Sequence, residues 1–150
     1  MEKPLSYPKI APEAYHLMLE FEAYAKKTTI DPKLIELIKI RASQLNGCAF
    51  CLDMHTREAR KMGESEQRIY CLSAWREAPF YSDEERVALA LTETVTQIST
   101  RSFTEDLYFL TRQLFDEKQY VDLIYIINTI NSWNRLAIAT GAAPSADHAK

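Results

Sequence analysis

Residues 36–63 read ELIKIRASQLNGCAFCLDMHTREARKMG, two helical patterns divided at Asn46-Gly47. Before the division, Leu34, Ile35, Leu37, Ile38 and Ile40 make the segment apolar nearly all round, as in a helix buried on most faces. Asn46-Gly47 is not a hairpin turn, because the apolar period on both sides is helical rather than alternating. The glycine stops the first helix and puts Cys48 in the first turn of the next, which ends at Met62-Gly63.

The same punctuation extends in both directions. A helix is predicted over residues 12–26. The helix ending near Asn46 begins at Asp31-Pro32, an N-cap followed by Pro at the first helical position. Further helices are predicted over 65–77 and over 82–99, the latter opening on the capping box Ser82-Asp83-Glu84-Glu85. Two more cover 104–115 and a long run from 116–118 through Trp133 to 139, stopped by Gly141. All three glycines in the chain fall where a helical pattern ends. The expectation is an all-α domain of six to seven helices over residues 1–150, with a short N-terminal arm and a frayed tail at 142–150.

Composition narrows the function classes. With 47% hydrophobic and 26% charged residues the chain is an ordinary globular sequence. A net charge of −3 gives no general attraction to nucleic acid or acidic membranes. The longest uncharged apolar run, Leu123-Ile124-Tyr125-Ile126-Ile127, is far short of the roughly 20 residues that span a bilayer. The N-terminus, MEKPLSYPKIAPEAY, has no apolar leader or small-residue cleavage site. Three cysteines, two of them close together, do not make a disulfide framework. They suggest a pair kept for chemistry in a reducing compartment, with cytoplasm the expected location.

Cys48, Cys51 and His55 are spaced i, i+3, i+7, within about 60° on one helix face. Unpaired N–H groups at a helix start favour a thiolate, and an imidazole two turns along can accept or stabilise charge from the second thiol. Several readings compete for this arrangement. Haem attachment needs His directly after the second Cys, where Leu52 stands. Zinc accepts two thiolates and an imidazole but wants a fourth ligand, for which Cys71 is the candidate. A buried structural pair beside a core histidine and a redox dithiol complete the set. Cys71 itself, in Ile69-Tyr70-Cys71-Leu72, reads as a small buried hydrophobe on an apolar stripe. His16 is expected at the surface and His148 in the tail. Glu36 is either an exposed residue pairing with Lys33, Lys39 or Arg41, or a buried carboxylate suited to proton transfer.

Residues 36–63 resemble the AhpD-like alkylhydroperoxidases of the carboxymuconolactone decarboxylase superfamily. The motif is a glutamate twelve residues before C-x-x-C, then a histidine four residues after the second cysteine. EERVALALTE at 84–93 and NTINSWNRLAIATG at 128–141 are similar to later parts of that family. The resemblance implies a peroxidase in which Cys51 is oxidised to sulfenic acid, Cys48 donates a proton and closes the disulfide, and His55 and Glu36 relay protons. It implies hydroperoxide substrates, no bound cofactor, and electrons from a dithiol such as a lipoyl or thioredoxin-like protein. A peroxiredoxin partner and a homotrimer or hexamer are further expectations. Some members carry a histidine just before the second cysteine, where this chain has Phe50. The decarboxylase branch works without the cysteine pair, so a decarboxylase-like enzyme with incidental thiols is the rival within the superfamily, and a zinc-stabilised helical protein the rival outside it. Asn131, Trp133, Asn134 and Arg135 either line the site, tie subunits together or make packing hydrogen bonds.

Overall fold

The computed structural model describes residues 4–146, so His148 and the end of the tail lie outside the described residues. Its elements are α1 (Tyr7–Ile10), α2 (Pro12–Ala25), α3 (Pro32–Asn46), α4 (Ala49–Lys61), α5 (Glu66–Tyr70), α6 (Asp83–Thr96), α7 (Glu105–Leu114) and α8 (Glu117–Thr140). Among the described residues there is no strand, as the sequence led us to expect. No described helix is long and apolar enough to cross a membrane.

Helix α3 is the axis of the fold, packed by α4, α6 and α8 on its several sides. Asp31 starts it, its carboxylate accepting the Lys33 and Leu34 N–H groups at 2.7 and 3.2 Å. Every residue from Leu34 to Ile40 is buried, which is why this segment carries an apolar residue on nearly every face. One apolar cluster joins Leu34 and Ile38 to Leu91, Leu123 and Ile127; a second joins Leu37 and Ile40 to Leu72, Trp75 and Leu89. A third, smaller cluster holds Ala42, Cys48, Cys51, Ile130 and Ala137.

The capping box at Ser82–Glu85 forms as predicted, and Asp116 with Gln119 makes a second one at the start of α8. The predicted helix over 65–77 does not run through. It stops at Tyr70, and a 3₁₀ turn, Leu72–Ala74, follows. The departure has a tertiary cause: Ile69, Leu72 and Trp75 all enter the second cluster. A tighter turn also brings the Trp75 Nε1–H to Glu93 at 2.9 Å. Helix α6 likewise ends at Thr96 rather than 99, where the chain turns back on the Gln97 carbonyl. The arm contains the short α1, absent from the predicted elements, and the Leu5 N–H ties it to the Thr140 carbonyl at 2.9 Å.

The junction of α3 and α4 is held by a buried amide network. The Asn46 amide donates to Asn131 and Asn134 at 2.9 and 2.8 Å, and Asn134 donates to the Ser43 hydroxyl at 3.0 Å. Asn131 also donates to Thr96 and to the Ile127 carbonyl. These residues therefore serve packing within the chain and fix where α4 begins. Between the helices Gly47 adopts φ 69°, a left-handed conformation that costs a residue with a Cβ about 1–2 kcal/mol. A Cβ added there meets nothing within 4 Å, so Gly47→Ala tests conformation alone. It is expected to lower stability by about that amount, read as a lower denaturation midpoint at unchanged slope.

Candidate functional site

Helix α4 opens on Cys48, whose Sγ takes the cap position and accepts the Cys51 N–H at 3.4 Å. The two cysteines form a disulfide, with Cα atoms 5.4 Å apart. Two turns along α4, His55 Nδ1 lies 2.8 Å from the Glu36 carboxylate, which reaches it from α3. In this pairing an ionised carboxylate accepts and an imidazole Nδ1–H donates. Cys48, Cys51, His55 and Glu36 are all buried. The four residues singled out in the sequence are thus brought to one junction, and of the two readings of Glu36 the buried one holds.

Cys51 and His55 line a cleft of ≈ 240 Å³ together with Tyr7, Tyr15, Leu19, Glu22, Phe50, Met54, Trp133 and Ala137. Cys48 does not line this cleft; it is buried in the third apolar cluster, which also holds Ala42, Ile130 and Ala137. Of the two cysteines only Cys51 lines the cleft, one turn before His55 on α4. Phe50 supplies an apolar wall. Tyr7, Tyr15 and Trp133 meet edge-on and tilted, with centroids 5.9 to 6.4 Å apart. Burial, with Tyr15 beside it, pushes the Tyr7 hydroxyl up, so Tyr7 stays uncharged at neutral pH.

A larger groove of ≈ 670 Å³ runs past Asp31, Lys33, Arg68, Glu84 and Phe115. It contains neither cysteine nor histidine, and its Arg68 is paired with Glu64 and Glu85. The chemistry places the candidate site in the smaller cleft. Cys71 is half-buried just past the end of α5, packed against the second apolar cluster, and so is not the buried helical residue expected. It is therefore not placed to complete a ligand set with the Cys48–Cys51 pair, and no described group of three His, Cys, Asp or Glu side chains is arranged to hold a metal ion. His16 is exposed on α2.

Glu22 escaped the sequence, and Lys39 entered it only as one of three partners offered to Glu36. Lys39 is buried and pairs with Glu22, and its Nζ lies 3.8 Å from Glu36. Glu22 lines the cleft and accepts the Trp133 Nε1–H at 3.0 Å. A lysine inside the apolar run 34–40 was the only available signal for Lys39. Glu22 sits in LEFEAYA with nothing to mark it.

A model of the carboxymuconolactone decarboxylase family matches residues 12–94. The chain is 56% identical over 141 residues to the uncharacterized protein YdfG of Bacillus subtilis, covering 94% of this chain and 96% of that one. Among solved structures, a protein of unknown function from Agrobacterium tumefaciens, a candidate antioxidant defence protein AhpD, superposes with TM-score 0.92 at 38% identity. That match covers 96% of this chain and all 100% of the other. The AhpD core of an uncharacterized peroxidase-related protein from Ralstonia eutropha shares the fold, with TM-score 0.81 at 17% identity over 92% of this chain and 74% of that one.

Proposed function

The chain belongs to the carboxymuconolactone decarboxylase family, on its AhpD-like side, and from that premise we propose that it is a dithiol peroxidase acting on organic hydroperoxides in antioxidant defence. The observation that carries the reading is the disulfide between a helix-capping Cys48 and a cleft-facing Cys51, with His55 and buried Glu36 behind them.

In the reduced protein, His55 takes the Cys51 proton. The thiolate attacks the terminal oxygen of the hydroperoxide, the O–O bond breaks, and the alkoxide leaves as alcohol after taking up a proton. Cys51 becomes a sulfenic acid. The Cys48 sulfur then attacks it, the S–S bond forms, and the S–O bond breaks to release water. Two thiols are oxidised and one hydroperoxide is reduced to alcohol and water. An external dithiol, of the lipoyl or thioredoxin-like class, restores the pair by exchange and leaves as its own disulfide. A peroxiredoxin as a further client and a homo-oligomeric assembly belong to the same proposal. The electrons come from outside, so the cycle requires no resident metal or cofactor.

Thiol titration tests it. Reduced protein should show three reactive thiols on unfolding and one after a single equivalent of tert-butyl hydroperoxide, with Cys71 the survivor. Retention of all three thiols would refute the peroxidase. Stoichiometric zinc protecting both thiols from alkylation would favour a metal-stabilised protein, and lactone decarboxylation unaffected by thiol blocking would favour the decarboxylase.

A further inference from the structure

Behind the sulfur–imidazole pair lies a line of charges that the peroxidase reading does not use. Glu36 turns one oxygen to His55 and the other toward Lys39 Nζ, 3.8 Å away. Lys39 in turn pairs with Glu22 Oε1, and Trp133 holds Glu22 Oε2 at 3.0 Å. Three helices and the cleft wall are joined in this way: α4 through His55, α3 through Glu36 and Lys39, α2 through Glu22, and α8 through Trp133.

Two carboxylates and one ammonium leave this cluster with one negative charge in excess. It becomes neutral when the imidazole carries the Cys51 proton. An unpaired buried lysine is costly, and without Lys39 the half-buried Glu22 would face the buried Glu36 with no positive charge between them. Lys39 therefore does more than fill space. It sits within the 4–6 Å range over which a charge alters proton affinity at Glu36. The next charges outward are Glu58, one turn along α4 and paired with Lys61, and Lys26 just past the end of α2. On the cleft side, Tyr7 and Tyr15 are the titratable neighbours.

We propose that Lys39 and Glu22 are positioning residues of the thiol site: Lys39 orients the Glu36 carboxylate toward His55 and offsets its charge, and Glu22, anchored by Trp133, completes the charge balance at the cleft wall. The proposal rests on the reading of Cys51, His55 and Glu36 as thiol machinery. It names Lys39 as the group that sets the pH at which that machinery releases its proton.

The test is the pH dependence of Cys51 alkylation by iodoacetamide in the reduced protein, read cysteine by cysteine by mass spectrometry. Lys39→Met removes the ammonium, so the rise of the rate should move to higher pH, by about one unit. Glu22→Gln removes a carboxylate and should move it to lower pH. The double variant Glu22→Gln/Lys39→Met removes both charges and should return close to the wild-type position, and Lys39→Arg should restore it. A purely structural role would lower stability without moving the profile in opposite directions. Profiles that do not move, or that move the same way in both single variants, overturn the proposal. The double variant, which removes Lys39 together with its partner Glu22, keeps the test open if Lys39→Met folds poorly. Hydroperoxide turnover by the wild type is measured separately; its absence would remove the peroxidase reading while the alkylation profiles still decide the roles of Lys39 and Glu22.

Discussion

Cys51→Ser is expected to lower hydroperoxide turnover by about 10³-fold or more, the scale seen when an essential nucleophile is removed. Serine is close to isosteric, so the cleft and the His55–Glu36 pair should stay in place, and the loss is one of chemistry. A hydroxyl does not ionise beside an imidazole as a thiol does, and its oxygen is a poor nucleophile toward peroxide. Cys48 cannot substitute, because it does not line the cleft. Cys48→Ser should behave differently: Cys51 remains able to attack, so one equivalent of peroxide is consumed and the cycle then stalls at the sulfenic acid. Steady-state turnover with dihydrolipoamide, beside single-turnover peroxide consumption, separates the two variants. Full turnover by Cys51→Ser would sink the assignment.

The second large effect is on stability. Glu93 has no exposed surface, and it accepts from Arg41 and from the Trp75 Nε1–H, each at 2.9 Å. Its other oxygen meets Arg76 at 2.7 Å and Arg101 at 3.1 Å. One carboxylate thus ties α3, the segment after the 3₁₀ turn, and the turn after α6. Glu93→Ala should cost about 3–5 kcal/mol, because it leaves the largely buried Arg41 with the neutral Gln44 amide but no counter-charge, and the Trp75 donor without its acceptor. Arg76 and Arg101 are open to water and add little. Burial pushes the Glu93 carboxyl up, but hydrogen bonds from Trp75 and Arg76 and the charge of Arg41 outweigh it and hold it below the ordinary carboxylate range. A folded value below the unfolded one means that this contribution is complete above the ordinary range. It is lost as the pH falls through the folded value. Chemical denaturation across acid pH should therefore show Glu93→Gln less stable than wild type near neutrality, with the difference shrinking on acidification. A difference that does not change with pH would contradict this account.

How much of this was legible in the sequence depended on whether the signal was local. Asp31-Pro32, Ser82–Glu85, Gly47 and Gly141 each act within one turn of chain, and α3, α4, α6 and α8 begin or end where those residues place them. The interruption after Tyr70 was not legible, because it is imposed by Trp75 reaching across to Glu93 on another helix. Within the site, Cys48, Cys51 and His55 share one helix face and could be read from spacing. Glu36 stayed ambiguous until α3 was seen to be enclosed on several sides. Glu22 and Trp133 meet across 111 residues of chain, a pairing that no spacing rule reports.

In the proposed cycle the cap position of Cys48 has a kinetic meaning. Both sulfurs belong to the first turn of α4, and the 5.4 Å between their Cα atoms is a distance that helix geometry itself supplies. Closing the disulfide therefore asks for side-chain rotation and no backbone movement. The resolving sulfur stands at a high effective molarity beside any sulfenic acid formed on Cys51. Ring closure then competes as a unimolecular step against a second peroxide molecule, whose attack would carry Cys51 on to sulfinic acid. In the proposed cycle, the turn of helix that gathers the residues would thereby also guard Cys51 against irreversible over-oxidation.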